Sequence, residues 1–170
     1  WDQSQTWYAN HFSGARPNQR CGDITPYYLF HPEAPLRIHS LLPQARLIVL
    51  LRDPVERTLS QYFHSVRLGL ENLPLEQALD AEADRLSTGN LLHLQEHSYV
   101  SRSRYVEQLD RYLNLFPEQQ LLVLQSETFF ANPTTTWQRI EAFLNLPSAP
   151  CPAGTPKANA GRDEARSEEH

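Results

Sequence analysis

At 170 residues the chain suits a single domain able to bury a core of its own. Its 15 basic against 20 acidic side chains leave a net charge of −5, which excludes a generally basic nucleic-acid binder and confines any phosphate site to a local cluster. No apolar run approaches the ~20 residues that span a bilayer and no leader pattern opens the chain, so the sequence reads as soluble, with a cytoplasmic location expected. Cys21 and Cys151 lie far apart without partners at metal spacing. They point to two reduced thiols rather than a zinc site or a disulfide framework, a single bridge between them staying open. The chain starts at Trp1 and contains no methionine, so it reads as a fragment of a longer protein.

In chain order, Trp1 to Arg20 is polar and aromatic without a sustained period, which predicts a surface helix and then a loop around Gly14 and Pro17. Cys21 to Phe30 reads as a strand running into a turn, with the Asp23 carboxylate at its end. By residue type alone Asp23 is a reactive carboxylate or a turn and capping residue. His31 to Leu42 reads as a helix with Pro32 and Pro35 tolerated near its first turn, and with His31 and His39 as surface histidines.

Leu47 to Leu51 is an unbroken apolar run of the kind a strand buried on both faces shows. A helix opens at once. Asp53 is a good N-cap, Pro54 suits a first helical position, and Glu56 completes a capping box. Val55, Leu59, Tyr62 and Val66 form the expected core stripe, with Arg57, Ser60 and His64 on a neighbouring polar one. A strand end meeting a helix start directs backbone N–H groups at one point, beside which Arg52 offers a guanidinium fork and Ser60 a hydroxyl. The bland alternative is an Arg52 paired with a carboxylate and a solvated Ser60.

A helix initiated by Pro74 carries Leu75, Ala78, Leu79 and Ala83 on one face. It either shapes a cleft or packs on the domain edge. From Tyr99 a long helix is expected with Tyr105, Leu109, Tyr112, Leu113 and Phe116 along one side. Its Arg102 and Arg104 are anion ligands or surface charges. Gln120 to Gln125 reads as the next buried strand, Ser126 and Glu127 as a helical turn, and Pro133 as the start of a closing helix with Trp137, Ile140, Phe143 and Leu144 inward. Cys151 to His170 is rich in Gly, Pro and charge, which argues for a mobile loop and tail. This order of elements predicts an α/β fold, a parallel sheet flanked by helices.

The run Arg52 to His64, RDPVERTLSQYFH, resembles the 3′-phosphate-binding segment of the PAPS-dependent sulfotransferases, especially the heparan-sulfate-type enzymes and their bacterial relatives. In that family the arginine of the turn and the serine eight residues later hold the nucleotide 3′-phosphate, which falls on Arg52 and Ser60. The resemblance runs from about Trp7 to Arg162, and it implies a P-loop-NTPase-like sulfotransferase fold over 1–150 with a nucleotide-covering loop in 151–170. Gly22-Asp23 followed by Thr25, Pro26 and Tyr28 is similar to a Gly-Glu-Lys-Thr/Ser-Pro-x-Tyr pattern whose acidic residue is the general base. That residue is Asp23 here, one methylene shorter, with Ile24 in place of the lysine. His64 matches a histidine that in one branch lies near the transferred sulfuryl group, where other branches carry glutamine. Lys157, Asn159, Gly161 and Arg162 match the nucleotide-covering loop, although Asp163 stands in place of an aromatic.

The family's phosphate loop, Gly-x-x-Lys-x-Gly-Thr-Thr, has no counterpart string in the chain. The implied reading is therefore an N-terminally truncated sulfotransferase domain whose parent moves the sulfuryl group of PAPS to a hydroxyl or amine, with the fragment alone inactive. PAPS is the expected co-substrate and a carbohydrate the expected acceptor, with no metal and no nucleic acid. Oligomeric state stays open. The rivals are a nucleotide kinase of the phosphate-loop class and a non-catalytic sulfotransferase-like binding module.

Overall fold

The computed structural model describes residues 4–152. Ser4 opens α1 (Gln5–Asn10) by accepting from the Trp7 amide. A loop leads to α2 (Tyr27–Phe30) and α3 (Ala34–Leu41), then to β1 (Leu47–Leu51) and α4 (Pro54–Arg67). The short helices α5 (Leu75–Asp80), α6 (Glu82–Ser87) and α7 (Leu91–Glu96) follow, then a 3₁₀ turn at Ser101–Ser103 and α8 (Tyr105–Leu113). A second 3₁₀ turn, β2 (Leu121–Gln125), α9 (Ser126–Ala131) and α10 (Pro133–Leu144) complete the described chain.

β1 and β2 pair in parallel, Leu47 opposite Leu121 through to Leu51 opposite Gln125. Helices flank them, so the fold is α/β as the element order predicts. The Gln120 side-chain amide donates to the carbonyls of Pro43 (3.0 Å) and Ala45 (2.8 Å), which ties the entry of β1 to the start of β2.

Several expectations are corrected. Cys21 to Asp23 is irregular; the two paired strands are the only ones among the described residues. β1 is not buried on both faces: Ile48 and Leu50 are 40% and 49% exposed while Leu47, Val49 and Leu51 are half-buried. The predicted helix from His31 begins only at Ala34, because the residue before Pro32 is pushed out of the helical region and His31 sits at φ −63°, ψ 122°. His31 is buried rather than on the surface, with its ring against Tyr27 and its Nδ1 accepting from the Glu33 amide; burial pushes its pKa down.

α4 is rotated from its expected face. Thr58, Tyr62 and Ser65 are buried, while Val55 and Val66 are exposed. Gly69, at φ 72°, ends the helix, and the Leu70 amide returns to the Ser65 carbonyl (2.9 Å). The Pro74 helix breaks after Asp80 into α5 and α6. The long helix from Tyr99 starts as a 3₁₀ turn, with the Gln108 amide collecting the Ser101, Arg102 and Arg104 carbonyls that this turn leaves over. α7 was not anticipated; Asn90 caps it by accepting from the Leu92 amide (2.9 Å).

Tyr62, Ala78 and Tyr99 form a core cluster that Leu73, Leu75 and Leu79 enclose. Beside it lies a buried carboxylate. Glu71 accepts from the Asn72 and Leu73 amides, from both terminal nitrogens of Arg85 and from the Tyr99 hydroxyl (2.7 Å). Burial alone would raise its pKa, but the Arg85 and Tyr99 hydrogen bonds and the Leu73 amide bring it down from 4.5 to about 2.

A carboxyl depressed in the folded state stabilises it above the unfolded pKa and loses that contribution as pH falls through the folded value. Glu71→Gln is therefore expected to cost about 3 kcal/mol at neutral pH and far less near pH 2. Urea denaturation of both proteins across this range checks it; a pH-independent difference would count against the coupling.

Candidate active site

The β1 to α4 turn is closed by its own Asp53 and by side chains from two other places in the chain. Asp53 accepts from the amides of Val55 and Glu56 through one oxygen (both 2.9 Å), and Pro54 has no amide hydrogen to satisfy. The Arg57 amide reaches the Asp53 carbonyl (2.9 Å). The Asp53 amide donates to Glu127 of α9 (3.0 Å), and the Tyr105 hydroxyl of α8 donates to the Arg52 carbonyl (3.1 Å).

Two corrections follow. The expected capping box is only half made, since Glu56 does not return to the Asp53 amide and pairs with Arg52 instead (3.3 Å). The α4 N-terminal amides expected to face an anion already have partners within the protein. The donors left at this turn for an outside group are on side chains.

Arg52, Ser60 and His64 share one exposed stripe. Glu56, Ser60 and His64 succeed one another at four-residue steps, about 6 Å of helix rise each. All three are exposed, as is Arg52, and Ser60 has no side-chain hydrogen bond among the described residues. His64 Nδ1 meets Arg67 at 2.8 Å. A guanidinium only donates, so Nδ1 is the acceptor and the ring proton lies on Nε2.

Arg57 does not share this stripe as the spacing predicts. It turns inward and donates to the Tyr99 carbonyl (3.1 Å), and burial lowers its pKa. Arg102 is likewise an interior group. Its guanidinium lies over the Tyr27 ring (4.9 Å) and the Phe30 ring (5.2 Å) and donates to the Leu94 and Gln95 carbonyls at the end of α7. Burial pushes its pKa down to about 10, still cationic at neutral pH. Arg104 is exposed, with Glu107 3.8 Å away.

Asp23 is exposed and accepts from the Thr25 hydroxyl (3.2 Å) and, loosely, from the Tyr8 hydroxyl (3.4 Å). Burial and then the Asp23 charge raise the Tyr8 pKa. No contact among the described residues joins Asp23 directly to Arg52, Ser60 or His64; α8 links the two groups. Tyr105 at its start holds the Arg52 turn, while Arg111 and Tyr112 near its end donate to the Phe30 and Tyr28 carbonyls (both 2.9 Å). Seven residues of helix rise by about 10 Å between these two points of attachment on α8. Cys21 and Cys151 are both unbridged, Cys21 exposed and Cys151 half-buried. Lys157, Asn159, Gly161 and Arg162 lie outside the described residues.

Sequence reasoning missed Glu127 and Tyr105 as parts of this turn, reading the first only as part of a helical turn and the second as one side of a long helix. The signal was available for Glu127. Parallel strands with Leu51 opposite Gln125 bring Asp53 beside Glu127 two residues later.

Comparison with known proteins bears on this geometry. The profile of the sulfotransferase family matches residues 2–150. The chain is 30% identical to human heparan sulfate glucosamine 3-O-sulfotransferase 6 over 86% of its own length and 41% of that protein's. It is 27% identical to the membrane-associated sulfotransferase kil1 of Dictyostelium discoideum over 82% of its own length and 46% of that protein's. The chain thus spans less than half of these relatives. The crystal structure of a sulfotransferase from Alicyclobacillus acidocaldarius superposes with a TM-score of 0.76 at 27% identity, over 96% of this chain and 65% of that one.

Because Glu56 occupies the Arg52 fork, Glu56→Gln is expected to tighten binding of an anion there by about two- to fivefold, the worth of an exposed ion pair. Titration calorimetry with 3′,5′-ADP measures it, and the gain should shrink as salt is raised.

Proposed function

The chain belongs to the sulfotransferase family, and on that premise we propose that the protein moves the sulfuryl group of PAPS to a hydroxyl or amine of a carbohydrate. One observation carries the nucleotide half of this reading: an exposed guanidinium and an exposed hydroxyl stand on one stripe at a strand-to-helix turn whose backbone donors already have partners. Such a donor set fits a ribose phosphate, with a bidentate fork for two oxygens and a hydroxyl for a third. The names of the heparan sulfate relatives support a carbohydrate acceptor.

When bound, PAPS supplies a sulfuryl group whose S–O bond to the 5′-phosphate breaks as a new bond forms to the acceptor oxygen or nitrogen. Arg52 and Ser60 hold the 3′-phosphate, with Arg52 exchanging its Glu56 partner for the ligand. Lys157, Asn159, Gly161 and Arg162, which match the family's nucleotide-covering pattern, are assigned to the same ligand. Asp23 takes the acceptor proton, its carboxylate kept in place by Thr25 and Tyr8. His64 keeps a proton on Nε2, because Arg67 occupies Nδ1, and so presents a donor toward charge that builds on the transferring group.

In the full-length protein, Arg52→Ala is expected to weaken 3′,5′-ADP about 10- to 100-fold and to leave 5′-AMP nearly unchanged, on the scale of a charged hydrogen bond to phosphate. Equal wild-type affinities for the two nucleotides in calorimetry would defeat this assignment. Asp23→Asn should lower kcat about 10²- to 10⁴-fold while 3′,5′-ADP affinity holds. Sulfate-transfer kinetics beside the same titration decide that point, and full turnover in the variant would remove Asp23 from the role.

A further inference from the structure

The Arg52 carbonyl and the Asp53 amide are the two ends of one peptide unit. That unit belongs to neither regular element beside it: β1 closes at Leu51 and α4 opens at Pro54. No ladder or helix hydrogen bond therefore fixes its plane. Two side chains from elsewhere do so, Tyr105 at the first position of α8 on the carbonyl (3.1 Å) and Glu127 in the first turn of α9 on the amide (3.0 Å).

A peptide unit is stiff about its own C–N bond, so it turns as a plate about Arg52 ψ and Asp53 φ. Those two angles set where the Arg52 Cα–Cβ bond aims relative to α4, and hence how far the guanidinium stands from Ser60. A plate pinned at both ends cannot turn without breaking both bonds. Asp53 sits at φ −45°, ψ 126°, the conformation that lets its carboxylate cap α4.

We propose that Tyr105 and Glu127 are positioning residues that clamp the Arg52–Asp53 peptide and so aim the Arg52 guanidinium at the ribose phosphate; this rests on the nucleotide reading above. Neither residue touches the ligand. Glu127 serves as a hydrogen-bond acceptor rather than as a charge, since what it meets is a neutral backbone amide. The Asp53 amide, and to a smaller degree the Arg52 cation, lower the Glu127 pKa, and the resulting negative charge opposes rather than assists an incoming anion.

The test measures, in the full-length protein, the ratio of 5′-AMP to 3′,5′-ADP dissociation constants, alongside thermal melting. Tyr105→Phe and Glu127→Ala should each shrink the ratio about two- to tenfold, the span of one ordinary hydrogen bond. Glu127→Gln keeps the acceptor oxygen and should hold the wild-type ratio or raise it, because the charge that opposes the anion is gone. A ratio unchanged in both Tyr105→Phe and Glu127→Ala, whatever happens to the melting temperature, would make these contacts merely structural and overturn the proposal. Loss in Glu127→Gln equal to that in Glu127→Ala would overturn the acceptor role. A wild-type ratio near one would instead bring down the nucleotide reading itself, and the clamp's purpose with it.

Discussion

The parallel register of Leu47–Leu51 against Leu121–Gln125 is the constraint on which the rest of the molecule depends. Both strands run straight into helices, so whatever follows their last rung is brought side by side. After β1 that is Arg52 and Asp53; after β2 it is Ser126 and Glu127. The Asp53 amide, left over by both the ladder and α4, finds its acceptor in Glu127. With the amide satisfied, Glu56 is released from the cap and turns to Arg52.

Away from the sheet, the interior is held by charged side chains serving the ends of short helices. Each helix leaves several amides and carbonyls without intrahelical partners, and the ten α-helices among the described residues, most of them short, leave many. Arg102 collects the last carbonyls of α7 and Arg111 those of α2. Glu82 takes the amides of Val100 and Ser101 where the chain turns toward α8. Glu71 does the same for the loop after α4. This division of labour explains why arginines that look free for an anionic ligand are not. One terminal guanidinium nitrogen of each faces backbone oxygen, and the exposed Arg52 stands beside the stripe that carries Ser60 and His64.

α8 ties the two halves of the site together. Its first residue reaches the Arg52 carbonyl and its last turn holds the segment that follows Asp23. The segment after Asp23 and the Arg52 turn, on separate irregular stretches, are thus both held by one helix. Irregular backbone near Asp23 does not weaken the arrangement, for Tyr112 and Arg111 fix the carbonyls of α2 immediately after it.

The sequence by itself determined both paired strands to within a residue, the Asp53-Pro54 helix start beside Arg52, and the exposed four-residue spacing of Ser60 and His64, though not the inward turn of Arg57. Those features are local: apolar runs, a capping side chain and a helical repeat act within a few residues of themselves. Tertiary structure alone decided which face of α4 is buried, that His31 and Arg102 lie inside, and that one face of β1 remains open. It also decided that Glu127 and Tyr105, 74 and 53 residues from the groups they hold, close the turn. Periodicity marks where apolar side chains fall but not how carbonyls and amides left over at many helix ends will be shared, and here that sharing drew polar residues inward.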